Sequence, residues 1–295
     1  MPPTGPQCLL LVADPALAPL EPALVETLGR RHGGTVRWLA DSAAVELALD
    51  PCPPRETLAE ALAGRALDWA LVPAAGRKKR LLVSDMDSTI IDIECIDELA
   101  DFVGIKAEVA AITRRAMNGE LDFAAALTER VALLEGVEEK AIAEICRERL
   151  RLNPGARTLV STMRAAGALT ILVSGGFTLF TAFVARLAGF ERHHGNRLEI
   201  RDGRLTGRVL PPILGALAKL ETLDEAAAGL GLDREAALAL GDGANDRPML
   251  EAAGLAVAWR PHPVLAAAAD LVLAHADLAA ALHLQGYAAA ELTRA

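Results

Sequence analysis

Aromatic residues are scarce in this 295-residue chain: Phe, Trp and Tyr together make up 3%. Its core must therefore be built mainly from Ala, Leu and Val. Cysteine is nearly as sparse, with four residues, at 8, 52, 95 and 146, and no C-x-x-C pair. That spacing supports neither a zinc ribbon nor a small disulfide scaffold. Positive charge is in deficit, since 30 basic against 39 acidic residues leave a net −9. The basic face of a nucleic-acid binder is not to be expected from that balance. A basic segment followed by a long apolar run is missing at the N-terminus, so no signal peptide is expected. The most apolar stretch, 264–290, is interrupted by Asp270, His275 and Asp277, which argues against a membrane span. These absences lead to the expectation of a cytoplasmic protein with neither nucleic acid nor membrane as partner. What the chain does have is 52% hydrophobic residues, enough for a sizeable core, and a length that favours two folding units.

The charge is unevenly placed. Residues 1–80 hold 9 basic and 9 acidic side chains, so the whole excess lies in 81–295, with 21 against 30. Asp85 to Asp101 (DMDSTIIDIECIDELAD) carries seven acids and no base. An acidic run is ordinarily a solvated helix face, but here the first two acids directly follow the apolar run LLV.

Along the chain, CLLLVA (8–13) predicts a strand and 21–31 an amphipathic helix. TVRWLA and VELAL predict two more strands, a helix follows the prolines at 51, 53 and 54 through Leu62, and DWALVP predicts a last strand. This βαββαβ order over residues 1–75 is that of a ferredoxin-like α+β module. AAGRKKR, ending at Arg80, predicts a linker (76–80 at its narrowest). From Leu81 the pattern changes to short apolar strands separated by Ala- and Leu-rich helices: LLVS (81–84), LTILV (169–173), AALAL (236–240), LAVA (255–258) and LVL (271–273). Such runs suit a parallel sheet covered on both faces. The first two strands lie much further apart than a βαβ step of about 30 residues requires. The surplus reads as helices over 95–103, 106–117, 122–134 and 138–150, a helical cap inserted at about 93–152. RLEIRDGRLTGRV predicts a hairpin about Asp202-Gly203. His193 and His194 are expected in a loop, and Cys95 as a small buried hydrophobe.

Three polar motifs fall at the C-terminal ends of predicted strands, where open α/β sheets bind ligands. Asp85-Met86-Asp87-Ser88-Thr89 can place two carboxylates over one site, as a metal site or as nucleophile and general acid; a lone D-x-D equally caps a helix. Ser174-Gly175-Gly176 can form an anion site at a helix N-terminus, or a plain strand-to-helix turn. In Gly241-Asp242-Gly243-Ala244-Asn245-Asp246, Asp242 can offer an oxygen to a hard cation, with Asn245 and Asp246 in reach. Lys219 is either an exposed helical lysine or a fixed cation beside a nucleophilic aspartate and a phosphate. Separate plain explanations do not account for all four in this order.

In that order the motifs resemble those of the haloacid-dehalogenase-type phosphatases. The likeness extends through DMDSTIIDIECIDELA, TRRAMNGELDFAAALTERVALL, LVSGGF and DGRLTG, and spans about 80–275. It is closest to members that hydrolyse O-phosphoserine. The resemblance implies an α/β fold: a Rossmann-like haloacid-dehalogenase core over 81–295 with a parallel sheet and an inserted cap. It also implies Mg2+-dependent hydrolysis of O-phosphoserine through an aspartyl-phosphate, the last step of serine biosynthesis. Asp85 would be the nucleophile and Asp87 the general acid and base. Mg2+ would sit on Asp85, the Asp87 carbonyl and Asp242, supported by Asn245 and Asp246. Ser174, Gly175 and Lys219 would hold phosphate oxygens, with Asn245 beside them. Glu94 would face the substrate's amino group and Arg130 its carboxylate, a charge pair that suits a zwitterion. Met117 and Phe123 would close the cap. The N-terminal pattern resembles ACT-type modules, which implies a homodimer or serine feedback through residues 1–75. Other chemistries of the fold remain open: another small phosphorylated metabolite, a dehalogenase, a phosphoryl-transfer pump, or an amino-acid sensor with an inert catalytic half. Asp87 and the intact polar set favour the phosphatase, and Met86 stands where such pumps place lysine.

Overall fold

The computed structural model describes residues 7–32, 34–117 and 120–293. The N-terminal part runs β1 (Gln7–Val12), α1 (Pro22–His32), β2 (Thr35–Ala40), β3 (Ala44–Ala48), α2 (Arg55–Leu62) and β4 (Asp68–Pro73). Its sheet has the order β2-β3-β1-β4, with every neighbouring pair antiparallel. This is the ferredoxin-like arrangement.

The unbroken apolar run of β1 has a packing reason. Successive strand side chains point to opposite faces. Leu9 and Leu11 meet Val25, Leu28, Leu58 and Leu62 beneath the two helices. Cys8, Leu10 and Val12 belong to the same core as Leu82, Leu282, Leu284 and Tyr287. The helix-free face of this sheet is therefore buried against the rest of the chain. Asp68, at the start of β4, adds a polar clasp: its carboxylate accepts the backbone N–H groups of Ala274, His275 and Ala276 at 3.1, 2.9 and 2.8 Å. In the segment before Leu81, Arg77 is buried against the Glu46 carboxylate and donates to the Leu284 carbonyl at 3.4 Å.

The larger part begins with β5 (Leu81–Ser84) and then the cap helices α3 (Cys95–Phe102), α4 (Lys106–Met117), α5 (Phe123–Ala132) and α6 (Lys140–Glu148). The chain returns through α7 (Ala156–Ala165), β6 (Leu169–Phe177), α8 (Thr178–Ala188), β7 (Arg192–Arg201), β8 (Arg204–Leu210) and α9 (Ala216–Gly229). It closes with β9 (Ala237–Gly241), α10 (Arg247–Ala252), β10 (Leu255–Trp259), α11 (Pro263–Ala266), β11 (Leu271–Leu273) and α12 (Ala280–Leu284). The seven strands are ordered β11-β10-β9-β5-β6-β7-β8. All pairs are parallel except β7–β8. The four residues of β5 are all buried, as expected of a strand covered on both faces.

Two expectations need correction. His193 and His194 begin β7 rather than lying in a loop, and His193 Nδ1 sits 2.9 Å from the Thr181 hydroxyl. β6 continues in extended form through Ser174, Gly175 and Gly176 to Phe177, which pairs with Asn196 of β7. Those glycines belong to the strand end, and the helix starts after them. The hairpin also receives the cap: Gly136 N–H donates to the Leu205 carbonyl, and Leu205 N–H to that of Val137, both at 2.8 Å. Among the described residues no helix is long and apolar enough to cross a membrane.

Candidate active site

Strand order places the ends of β9, β5 and β6 side by side at the centre of the sheet. Asp85 extends β5 by one residue, donating its N–H to the Leu240 carbonyl at 2.9 Å, and its side chain is buried. The chain then coils tightly, with the Met86 carbonyl accepting from the N–H groups of Thr89, Ile90 and Ile91. Ser88 adopts a positive φ of 55° within this coil. The turn brings Asp87 back over the strand ends. Its Oδ1 accepts the Cys95 N–H at the start of α3 at 2.9 Å, and its Oδ2 accepts the Ser174 hydroxyl at 2.8 Å. Ser174 Oγ in turn accepts the Gly176 N–H at 2.8 Å. A Cβ on Gly176 would lie 3.0 Å from Asp87 Oδ2, so the close approach of backbone and carboxylate depends on glycine.

Behind Asp85 lies a buried ion cluster. Lys219, 2% exposed on α9, is 2.8 Å from Asp85 Oδ1 and also pairs with Asp246 Oδ1. Burial alone would lower its pKa, but the carboxylates of Asp85 and Asp246 outweigh it and hold the ammonium above its ordinary value. The second oxygen of Asp246 accepts the N–H groups of Asp242 and Gly243 at 3.1 and 3.0 Å. Asp246 is thus spent on shaping the loop. Asp242 takes the Thr89 hydroxyl on Oδ1 at 2.5 Å. Burial, then the Asp246 charge, raises the pKa of Asp85 against the opposing pull of Lys219. Burial raises Asp242 too, with the Thr89 hydrogen bond opposing.

Carboxylate oxygens of Asp85, Asp242 and Asp246 lie within 4.8 Å of one another. The set holds hard oxygen donors without imidazole or thiolate, which fits a hard divalent cation such as Mg2+ and not a softer metal. The Asp87 side chain is outside this cluster, engaged with Ser174 and Cys95.

In front of Asp85 is a cavity of about 170 Å³. Asp85, Asp87, Glu94, Phe123, Arg130, Ser174, Gly175, Asp242 and Asn245 all line it, with Ile96 and Leu127 as apolar wall. Lys219 and Asp246 stand behind. The Met117 side chain lies outside the described residues. Glu94 accepts the Ser88 hydroxyl at 2.6 Å, and burial, followed by the Asp87 charge, raises its pKa to about 7. Arg130 is lowered by burial, opposed by Asp97 and Glu94. Phe123 of the cap reaches the core, since a Cβ on Gly175 would come within 3.0 Å of its Cζ.

Two polar residues of the site were not singled out from the sequence. Thr89 belongs to the DMDST motif, in which the two aspartates carry the expected chemistry. Asn196, 1% exposed, donates to the carbonyls of Gly175 and Leu214 at 2.8 and 3.2 Å and accepts the Leu214 N–H at 2.8 Å. It ties the end of β6 to the segment before α9, and no local sequence signal marks it.

Residues 82–251 match the family model of the haloacid dehalogenase-like hydrolases. The chain belongs to this family. A phosphoserine phosphatase of Polaromonas sp. strain JS666 is 48% identical over 189 residues, covering 62% of this chain and 80% of its own length. Among solved structures, a haloacid-dehalogenase-family hydrolase from Salmonella enterica serovar Typhi superposes with a TM-score of 0.83 at 31% identity, covering 94% of this chain and 97% of that one. A probable phosphoserine phosphatase from Vibrio cholerae gives 0.79 at 32% identity, covering 97% and 88%. Both structural likenesses extend over nearly the whole chain, so the N-terminal sheet is part of what these family members share.

Proposed function

We propose that this hydrolase converts O-phosphoserine to serine and inorganic phosphate, acting in the cytoplasm at the last step of serine biosynthesis. The observation that carries the reading is a cavity in which Asp85, backed by Lys219, is joined by the cap-side acid Glu94 and by one guanidinium, Arg130. A phosphorylated zwitterion needs that set: a nucleophile and cation for the phosphate, an anion for the ammonium, a fork for the carboxylate. The relatives' names point the same way. Catalysis is assigned to residues from 81 onward, with the cap at about 93–152.

In this reading the Asp85 carboxylate attacks phosphorus, and the bond to the serine oxygen breaks as Asp87 gives that oxygen a proton. Asp87 then takes a proton from the water that splits the aspartyl-phosphate, releasing phosphate and restoring Asp85. Ser174, the Gly175 N–H and Lys219 hold the phosphoryl oxygens. Asp85, Asp242 and the Asp87 carbonyl would hold Mg2+, which would supply positive charge to those oxygens. Asn245 and Asp246 keep the loop of Asp242 in place. Glu94 and Arg130 orient the amino acid, while Phe123 and Met117 cover it.

Phosphate release from O-phosphoserine, O-phosphothreonine, phosphoethanolamine and 3-phosphoglycerate, with Mg2+ or with chelator, tests the proposal. O-Phosphoserine is expected to be the best substrate, chelation to stop turnover, and Asp85→Asn to abolish it while leaving the circular dichroism spectrum unchanged. Preference for another ester, or turnover by Asp85→Asn, would overturn the assignment.

A further inference from the structure

The two connections between core and cap are tied together by one side chain. Where the chain returns from the cap, Leu152 forms an antiparallel bridge with Ile91 of the outgoing segment. The next residue, Asn153, is 8% exposed. Its backbone N–H donates to the Ile90 carbonyl at 2.9 Å. Its Nδ2 donates to the carbonyls of Thr89 at 2.8 Å and Ile91 at 3.0 Å. One residue therefore satisfies three consecutive carbonyls of the loop that leaves β5.

That loop carries Thr89, 0% exposed, whose hydroxyl donates to Asp242 Oδ1 at 2.5 Å. The backbone of Asp242 is held from the other side by Asp246. The Asp242 carboxylate thus has its main chain fixed by its own loop and its orientation fixed by Thr89. The peptide of Thr89 is fixed in turn by Asn153. The Thr89 hydroxyl occupies Oδ1, and a carboxylate oxygen of Asp242 lies within 4.8 Å of one of Asp85.

We propose that Asn153 is a positioning residue for the Asp242 carboxylate, acting through Thr89, so that the cap's returning segment sets how tightly the site holds a divalent cation. The inference rests on the reading of Asp242 as a cation-holding carboxylate. Deleting the side chain frees the Thr89 peptide to rotate, and the hydroxyl no longer presents a fixed partner to Asp242. Partners that orient metal-holding groups typically change affinity by about 10- to 100-fold when removed.

The test is a double-mutant cycle on the full chain, read as the Mg2+ dissociation constant by isothermal titration calorimetry without substrate. Thr89→Val is expected to weaken Mg2+ by about 10-fold, the lower end of that range, and Asn153→Ala, one step further from the carboxylate, by about 3- to 10-fold. The double variant should be no weaker than Thr89→Val alone, because both changes release the same carboxylate. Asn153→Ser, which keeps one short donor, should fall between wild type and Asn153→Ala, and it stands in if the alanine variant does not fold. A wild-type Mg2+ constant in folded Asn153→Ala or Asn153→Ser would overturn the proposal, leaving Asn153 a stabilising residue only. Losses that multiply in the double variant would overturn the route through Thr89. Because the readout is metal binding, the result stands whichever phosphate ester proves to be the substrate.

Discussion

Replacing Asp68 tests whether the N-terminal sheet and the catalytic sheet form one cooperative unit. Its carboxylate, 5% exposed, accepts three consecutive N–H groups after β11. In Asp68→Ala these donors lose their acceptor. Ala274 and His275 are exposed and can turn to water, whereas Ala276 is 4% exposed and its N–H stays unpaired. An orphaned buried donor costs about 1–3 kcal/mol, and the loss of charge-assisted bonds at the two wetter positions adds about 1 kcal/mol. The expected total is about 2–4 kcal/mol, a large part of the roughly 5–15 kcal/mol that holds a domain folded. With a urea slope of about 3 kcal/mol per M, the midpoint should fall by roughly 1 M. Loss of phosphatase activity and loss of far-UV ellipticity should move together, because Leu10 and Val12 share a core with Leu282 and Leu284. Asp68→Asn, which keeps one accepting oxygen, should lose about half as much as Asp68→Ala, on the order of 1–2 kcal/mol. The clasp between the two sheets fails as an account of Asp68 if the alanine variant shifts by less than about 0.2 M at that slope. It fails equally if the module melts in a separate transition while the activity midpoint stays where it was.

The remaining expectations concern the substrate's charged groups. Glu94 has its pKa raised from 4.5 to about 7, first by burial and then by Asp87, so it is ionised, and able to take an ammonium, only above that range. The kcat/KM for O-phosphoserine should therefore rise with pH through about 7, and Glu94→Gln should lower it and remove that limb. An acid whose folded pKa is raised costs stability as pH climbs from its ordinary value to the folded one, so the same variant should raise the Tm of the metal-free protein clearly more at pH 8 than at pH 5. Arg130→Ala should raise the KM for O-phosphoserine by about 100-fold, the worth of roughly 3 kcal/mol of forked hydrogen bonding. Phosphoethanolamine, which has no carboxylate, should change by less than about 3-fold, since no such bond is lost; equal losses on both esters would remove Arg130 from substrate recognition.

Much of the architecture is legible because it depends on local patterns. The strands DWALVP and LVL, and the start of each cap helix to within two residues, follow from apolar periodicity and from turn residues. What escaped depends on distant partners. Ser174-Gly175-Gly176 has the composition of a turn, yet it stays extended because Phe177 pairs with Asn196. Asn196 and Asn153 act on loops 18 to 64 positions away in sequence, and nothing near either residue announces it. The unbroken apolar run of β1, from which only a strand is expected, is the pattern of a strand covered on both faces. Recognising that the second cover comes from Leu282, Leu284 and Tyr287 requires the tertiary structure.

The acidic stretch from Asp85 to Asp101 divides its charges between distinct tasks. Glu98 and Asp101 bind Arg149 at 2.8 Å each, and Asp92 accepts the Arg151 N–H at 3.1 Å, so these acids fasten the cap. Asp85, Asp87 and Glu94 face the cavity. Asp85 also crowds with Asp242 and Asp246, within 4.8 Å of one another, against the ammonium of Lys219. Three carboxylates and one ammonium leave about two negative charges in a buried cluster, and burial already pushes Asp85 toward its neutral form. In the proposed reaction a protonated Asp85 would be no nucleophile, and an ionised one would repel a phosphate. A divalent cation resolves both difficulties, because it favours the ionised carboxylate and attracts the phosphoryl oxygens. Lys219 alone balances one of the three charges. The charge that makes the chain acidic overall is thus also what makes an anionic substrate acceptable, provided the cation is there.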